Sequence, residues 1–567
     1  MTDRPLQFRA LLAVLMLLGS VGAAQANLHT DTGVIPAEEL DVAGLAFEQP
    51  VEALVFLDEP QIAAMLGELP IPELIELRRA RAYAMQDALL DEVDATLPGT
   101  IKVLNRYWLL NVLRVEGKPE DLKKLAKKKT VRKVARGGEI RIIDPEAGGT
   151  VWPDDVTLPW NLAEVEAPAC WADGYDGTGV VVGHLDTGAD ATHPALAGKF
   201  AGRWLDAVKG QPEPYDDHGH GTHTLGLMVG GDGDGPGAHD IGVAPGARWV
   251  GAKVMDADGV GSYAQCLAGL EFMAELKQEL DLRVVCGSWS LDLEGRDLLA
   301  DACRVLLELE ILPVFAVGNS GPSPRSAEVP GCYPSVVGVG ALMENGRPAA
   351  FSGRGPAPAA APWVQNPGHP VIPAWAGHKP DISAPGVRVL SSLPGGGYGH
   401  LSGTSVAAPH VAGAVAVLLQ KNPLLSVREL TDALITSARG VPGILAAPGN
   451  EVGYGALNVH EALAGVDGLI PVATTKALPA AASLVVGRRG DEVLIRYAPG
   501  STEPARLDIY DLSGRRVRTL AVPVSAGPGT AVWHGRDASG RDVGSGVYLV
   551  RLRVGDRSLV RKVAWVR

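Results

Sequence analysis

Gly399-His-Leu-Ser-Gly-Thr-Ser-Val-Ala-Ala-Pro-His-Val-Ala-Gly413 sets a serine, Ser405, between a Gly-Thr turn and an Ala-rich helix start. A hydroxyl in that place is exposed at a helix N-terminus, where the partial positive charge of the backbone favours an oxyanion. That suits a nucleophile. Gly-Thr-Ser by itself is also how an ordinary capped helix begins, so the reading depends on what else the chain supplies.

A serine hydroxyl is a poor nucleophile at its own pKa. It needs a base to take its proton, a group to orient that base, and donors for the oxyanion that forms. Each has a candidate upstream. Gly179-Val-Val-Val-Gly-His-Leu-Asp-Thr-Gly188 reads as a buried parallel strand ending at Asp186, and the C-terminal end of such a strand is where open α/β sheets place their sites. Asp216-Asp-His-Gly-His-Gly-Thr-His-Thr-Leu-Gly226 offers His218, His220 and His223 as bases, a spacing that also suits a metal site. Leu312-Pro-Val-Phe-Ala-Val-Gly-Asn-Ser-Gly-Pro322 is a strand running into a Gly-flanked turn that carries Asn319, by default only a turn former.

Taken whole, Gly-Thr-Ser-x-Ala-x-Pro-His-Val-Ala-Gly around Ser405 resembles the serine motif of the subtilisin-like (S8) serine proteases. His-Gly-Thr-His and Gly-Asn-x-Gly look like its companion motifs. Gly242-Val-Ala-Pro-Gly246, Tyr333-Pro-Ser-Val-Val-Gly-Val-Gly340, Phe351-Ser-Gly-Arg-Gly-Pro356, Lys379-Pro-Asp-Ile-Ser-Ala-Pro-Gly386 and Gly453-Tyr-Gly-Ala-Leu-Asn458 look like further signatures, so the resemblance runs from about Trp160 to Gly465. Gly219-His-Gly-Thr-His-Thr224, Ala247-Arg-Trp249 and Gly287-Ser-Trp289 bring it nearest to bacillopeptidase F-type enzymes.

The resemblance implies an α/β catalytic domain, a parallel sheet flanked by helices, and a secreted endopeptidase that needs no redox or organic cofactor. It selects His220 as base, with His218 and His223 in structural roles, Asp186 as its orienter and Ser405 as nucleophile, in the order that subtilisin itself has. Asn319 would join the Ser405 backbone N–H in the oxyanion hole, and Ser288, Trp289, Ser290 and Gly318 would bind substrate. Counting back from Gly331-Cys-Tyr-Pro334, Glu328 falls at the floor of the S1 pocket. A carboxylate there would select Lys or Arg at P1, and Arg136 and Arg141 would then be self-cleavage points.

Some positions depart from the family. Val406 replaces the usual methionine, and Ser290 stands where relatives have glycine and would narrow the S1 entrance. His193-Pro-Ala-Leu196 has alanine where many subtilisins supply a calcium-ligating aspartate, so that site is expected to be absent. Calcium at Asp232, Asp234 and Asp240 is an alternative to a solvated loop.

The 567 residues, with a formal net charge of -14, suffice for two or three folded units and argue against nucleic acid as a partner. Residues 1–26 read as a secretory signal, with Arg4 and Arg9, the apolar run Leu11–Val21 and the small-residue site Ala24-Gln-Ala26. The run is short for a membrane span of about 20 residues. The protein is therefore expected outside the cell, free or surface-attached. Five cysteines, Cys170, Cys266, Cys286, Cys303 and Cys332, show no paired CxxC spacing; they read as small buried hydrophobes and allow at most two disulfides.

Residues 27–145 read as a small α+β unit: strand Val51–Leu57, helix Pro72–Val93, one or two strands over Ile101–Val115, helix Pro119–Lys127 and a last strand Val131–Ile143. Its size and place resemble the inhibitory prosegments of the family, which act as intramolecular inhibitor and chaperone. Nine basic residues between Lys118 and Arg136 suggest either a solvated face or a surface that docks on an acidic catalytic domain. The catalytic domain spans 146–465 and carries an insertion-like Pro/Ala-rich segment, Ala357–Gly377, with Trp363 and Trp375. A linker, 466–482, leads to a β-sandwich, 483–567, read from short alternating runs broken by Asp-Gly-Ser turns. Leu507-Asp-Ile-Tyr-Asp-Leu-Ser-Gly-Arg-Arg-Val-Arg518, Trp533-His-Gly-Arg-Asp537 and Gly546-Val-Tyr-Leu-Val550 resemble immunoglobulin-like modules of flagellar hook-capping proteins and type IX secretion sorting domains. The rival to an enzyme is an inactive subtilisin-like fold that serves as a cell-surface binding or adhesion protein.

Overall fold

The computed structural model describes residues 49–58, 71–135, 139–142, 158–231, 240–291, 298–357, 377–444, 447–466, 483–489, 492–498, 505–511, 516–520, 529–544, 546–554 and 557–565. The signal-like segment, Arg136, Asp232, Asp234, Trp363, Trp375 and the linker from residue 467 lie outside the described residues.

The N-terminal unit is strand β1 (Val51–Leu57), helix α1 (Ile71–Thr96), strands β2 (Ile101–Tyr107) and β3 (Val112–Gly117), helix α2 (Pro119–Leu125) and strand β4 (Val131–Ala135). The strands form an antiparallel sheet in the order β2-β3-β1-β4. Helix α1 buries Leu74, Ile75, Arg78, Ala82, Gln86, Leu89 and Val93, one stripe at three- and four-residue steps. Proline opens α2 at a position whose N–H has no partner in any helix. The run Val131–Ile143, expected as one strand, divides. Only β4 joins this sheet; Glu139–Arg141 (β5) leaves it and lies antiparallel between β9 (Val260–Ser262) and β11 (Ser290–Leu291).

Helices α3 (Trp160–Glu164) and α4 (Ala167–Ala172) lead into the main sheet. Its strands are β6 (Val181–Asp186), β7 (Phe200–Asp206), β8 (Arg248–Lys253), β10 (Val284–Gly287), β12 (Leu312–Ala316), β13 (Val337–Leu342) and β14 (Ile382–Pro385). All seven run parallel in the order β14-β13-β12-β10-β6-β8-β7. Both faces are covered, which is why β10, β12 and β13 read as unbroken apolar runs. Helices α5 (His220–Val229) and α8 (Thr404–Lys421) pack together on one side; α6 (Tyr263–Leu280) and α7 (Ala300–Glu308) belong to a second core that also takes in Trp108, Leu109 and Leu110 of the N-terminal unit. A hairpin, β15 (Val389–Leu393) and β16 (Gly397–Leu401), precedes α8, and α9 (Val427–Thr436) and α10 (Val459–Gly465) close the domain. The chain leaves β6 toward β7 and β8 and leaves β10 toward β12 and β13, so the ends of β6 and β10 flank a topological switch point.

The tail holds two antiparallel sheets, β17 (Ser483–Arg489), β18 (Glu492–Ala498) and β21 (Gly529–Trp533), and β19 (Ala505–Asp511), β20 (Arg516–Leu520), β22 (Gly546–Val554) and β23 (Arg557–Trp565). They share one core centred on Trp533, with Ile495, Ile509 and Val550, the sandwich expected from the alternating runs. All five cysteines are buried and free.

Candidate active site

Strand β6 delivers Asp186 to the switch point, and α5 starts on His220. The residue before that helix, Gly219, has φ +105°, a conformation that favours glycine. Asp216 organises the loop: one oxygen accepts from the N–H groups of His218 and Gly219 and from Thr187 Oγ1, the other from Thr222 N and Oγ1 at 2.8 and 2.7 Å. The turn after Asp186 and the first turn of α5 approach so closely that a Cβ on Gly221 would be driven into the Gly188 carbonyl. Nothing larger than glycine fits.

These constraints bring His220 Nδ1 to 2.7 Å from Asp186 Oδ1, with both side chains fully buried. The same oxygen accepts Thr187 N–H at 2.8 Å, and Oδ2 accepts Thr224 Oγ1 at 3.2 Å. Burial alone would raise the Asp186 pKa, but His220, His184 and the Thr187 N–H outweigh it and hold the carboxyl below its usual range. Asp186 is therefore an anion, and Nδ1 of His220 carries the proton it accepts. That leaves Nε2 as the basic nitrogen. His220 Nε2 and Ser405 Oγ are buried and each lacks a hydrogen-bond partner.

Asn319 follows β12. Its Oδ1 accepts Thr404 N–H and Thr404 Oγ1, both at 2.9 Å. A backbone N–H can only donate, so the amide orientation is fixed and Nδ2 faces the other way. A Cβ on Gly403 would meet Ser405 Oγ at 2.7 Å and Asn319 Nδ2 at 3.3 Å, which places the hydroxyl and the amide together against one face of this glycine.

The remaining sequence-predicted residues divide. His223 is buried, bonds the Val389 and Gly399 carbonyls, and is pushed down to about 3 by burial, so it is a neutral strut under the hairpin. His218 Nδ1 accepts His220 N–H at 3.3 Å. Trp289 turns its indole into the core, bonded to Leu185 O at 2.9 Å and edge-on to Phe315. Ser290 is paired with Arg141, and Ser288 is buried with its hydroxyl 3.7 Å from Cys286 Sγ. The Glu328 carboxylate packs on Gly318 and accepts Ser320 Oγ.

Arg141, read from the sequence as a self-cleavage point, lies in β5 and is exposed, while Ile140 and Ile142 are buried. The alternating faces of a strand turn Arg141 outward. Past it, Ile142 N–H bonds Gly259 O at 2.9 Å, and a Cβ on Gly259 would lie 3.1 Å from His218 Nε2. The strand therefore runs toward the His218–His220 loop.

Of the two readings of the basic run, the structure favours the solvated face: Lys118, Lys123, Lys124, Lys127, Lys129 and Arg132 are exposed. Lys124 and Lys128 pair within the unit, with Asp121 and Glu92, and Arg132 reaches Asp301 on α7 across an exposed contact. The contacts with α6 and α7 come mainly from elsewhere: Arg78 to Glu308 at 3.0 Å with both side chains buried, Tyr107 Oη to Ala264 O, Trp108 Nε1 to Glu275, and Leu109 N–H to Glu271 at 2.7 Å. Ala195, where a calcium ligand was expected to be missing, is buried, and Asp240 is 1% exposed. Among the described residues no group of three or more His, Cys, Asp or Glu side chains could hold a metal ion.

Residues 177–455 match the model of the subtilase family of peptidases. The chain is 34% identical over 409 residues to bacillopeptidase F from Bacillus subtilis (strain 168), covering 65% of this chain and 27% of that one. It is 32% identical over 342 residues to M-protease from Shouchella clausii (strain KSM-K16), 60% of this chain and 77% of the relative. Over 285 residues it is 31% identical to a subtilisin from Bacillus pumilus, 50% of this chain and 92% of the relative. It thus spans little more than a quarter of bacillopeptidase F and most of the shorter enzymes. With the parallel sheet of the fold, these matches place the chain: it belongs to the subtilase family.

Proposed function

We propose that this chain is a serine endopeptidase that hydrolyses peptide bonds through an acyl-enzyme. The observation that carries the reading is the pair of buried, unpartnered atoms, His220 Nε2 and Ser405 Oγ. Leaving two polar atoms buried without partners is costly, and this expense is understandable where a substrate completes the network. Ser405 Oγ attacks the scissile carbonyl as His220 Nε2 takes its proton; the imidazolium is stabilised by Asp186 and returns the proton to the leaving amine. The oxyanion takes its hydrogen bonds from Asn319 Nδ2 and the Ser405 backbone N–H. Water then repeats the sequence on the ester.

Residues 27–145 act as prosegment, inhibitor and folding aid; β5, seated between two edge strands, supports this and suggests how substrate adds as a strand beside Ser290 and Val260. Glu328 against Gly318 supports Lys or Arg at P1. The protein acts outside the cell, and residues 483–567 serve as a sorting or surface module. Among the described residues no helix is long and apolar enough to cross a membrane.

Cleavage of a P1-varied peptide library by the processed protein and by its Ser405→Ala variant tests the reading. Activity lost with Ser405 and concentrated at Lys and Arg is expected. Cleavage that favours apolar P1 residues removes Glu328 from the pocket floor. An inactive wild-type protein, freed of residues 27–145, returns the surface-binding reading to first place.

A further inference from the structure

A second imidazole lies behind the first. His184 stands two residues before Asp186 on β6, so both side chains project from the same face of the strand. It is 1% exposed. Its Nε2 lies 2.9 Å from Thr224 Oγ1 and 3.8 Å from Asp186 Oδ2. Thr224 is one helical turn beyond His220 on α5, fully buried, with its hydroxyl 3.2 Å from Asp186 Oδ2 and 3.2 Å from Gly221 O.

Counting protons decides how this chain is wired. Asp186 is an acceptor only. Its Oδ1 receives His220 Nδ1–H and Thr187 N–H, and its Oδ2 receives Thr224. The threonine has one proton to give. Were His184 Nε2 bare, it would compete for that proton and draw it from a buried carboxylate. With Nε2 protonated, the imidazole donates to Oγ1 and the hydroxyl proton is left for Oδ2, an anionic acceptor preferred over the neutral Gly221 carbonyl at the same 3.2 Å. The order His184 Nε2–H to Thr224 Oγ1–H to Asp186 to His220 Nδ1–H satisfies each group along it.

We propose that His184 is a positioning residue for the proposed peptidase reaction: through Thr224 it fixes the second oxygen of Asp186, and so the orientation and basicity of His220. The inference rests on the proposed function only for its kinetic consequence. The groups that face His184 are Asp186 on its own strand and Asp216 and His220 from the α5 side. Gly251 of β8 and Cys286 of β10 flank it in the sheet, and Lys253 pairs with Asp186 in register. Cys286 is held protonated by burial, and Lys253 is engaged by Asp217 and the Thr187 carbonyl.

Losing the donor concentrates negative charge on the carboxylate, which then holds the imidazolium more tightly. His184→Phe and Thr224→Val are each expected to lower kcat about tenfold with KM little changed, and to move the acid limb of the kcat/KM profile to higher pH. Because both act through one oxygen, the double variant should be no worse than the poorer single one. His184→Gln, whose Nε2 can still donate, should restore the profile. The low-field proton resonance of the Asp186–His220 hydrogen bond, titrated in Ser405→Ala protein with and without each substitution, reads the same shift without catalysis. An inactive wild type would therefore reject the enzyme reading and leave this one to be decided by that titration. A folded His184→Phe protein whose profile and resonance superimpose on the parent overturns the proposal; if that variant does not fold, Thr224→Val decides on the same two readouts.

Discussion

Asn319 divides one amide between two partners. Its carbonyl end is held by Thr404, which leaves the NH2 end beside Ser405. A donor aimed at charge that exists only in the tetrahedral state contributes to kcat rather than to substrate binding. Asn319→Ala is expected to lower kcat about a hundred- to a thousandfold, the range known for the corresponding asparagine of subtilisin itself. Steady-state kinetics check this, and a loss appearing in KM instead would assign the side chain to substrate binding. At this scale Asp186, His220, Asn319 and Ser405 were legible as candidates because the chemistry admits few residue types, and the family resemblance chose His220 among three histidines. Thr224 and His184 stood inside the same quoted motifs and went unread. Their relation is a contact across 40 residues between a strand and a helix, and no local pattern encodes it. Asp216 escaped as well, although its partners His218, Gly219 and Thr222 lie within six residues of it.

Helix α6 shows what elements add to residues. It presents Glu271 to the N-terminal unit, where the carboxylate accepts Leu109 N–H and burial pushes it up to about 8. Without that unit the carboxylate faces water and returns toward the ordinary value of about 4.3. Below the lower value both states hold the proton and docking is strongest. As pH rises toward about 8 the free state ionises first, so docking weakens across that window. The Kd of the separated segment for the processed protein is expected to rise from about pH 5 to about pH 8, and Glu271→Gln to flatten the rise. Titration calorimetry across the range checks this; an unchanged slope in Glu271→Gln would discard the carboxylate as its source. The division of Val131–Ile143 into β4 and β5 was not legible, because alternation reports a strand and says nothing of its partners. The basic run left two readings open because charge in sequence counts, whereas buried geometry such as Arg78 on Glu308 carries the contact.

For the whole molecule, the family resemblance implied a parallel sheet and the alternating runs a β-sandwich after it, and both are present. The tail has a core of its own, closed around Trp533 by residues between Val493 and Trp565. A chain ended at Val466 is therefore expected to fold and to cleave peptides with kcat/KM within about twofold of the full chain. Thermal denaturation and peptide kinetics on the shortened chain check this, and failure to fold would make the sandwich part of the catalytic domain's stability. The threading of β5 between β9 and β11 has a kinetic meaning as well. A segment tethered to the groove it fills is present at an effective concentration set by its own linker. On the proposed reading as a prosegment, dilution would not empty the groove, and a first self-cut would be unimolecular, with a rate indifferent to how much protein is present. Once the tether is severed the same segment is an ordinary ligand, and from then on its hold on the groove depends on concentration.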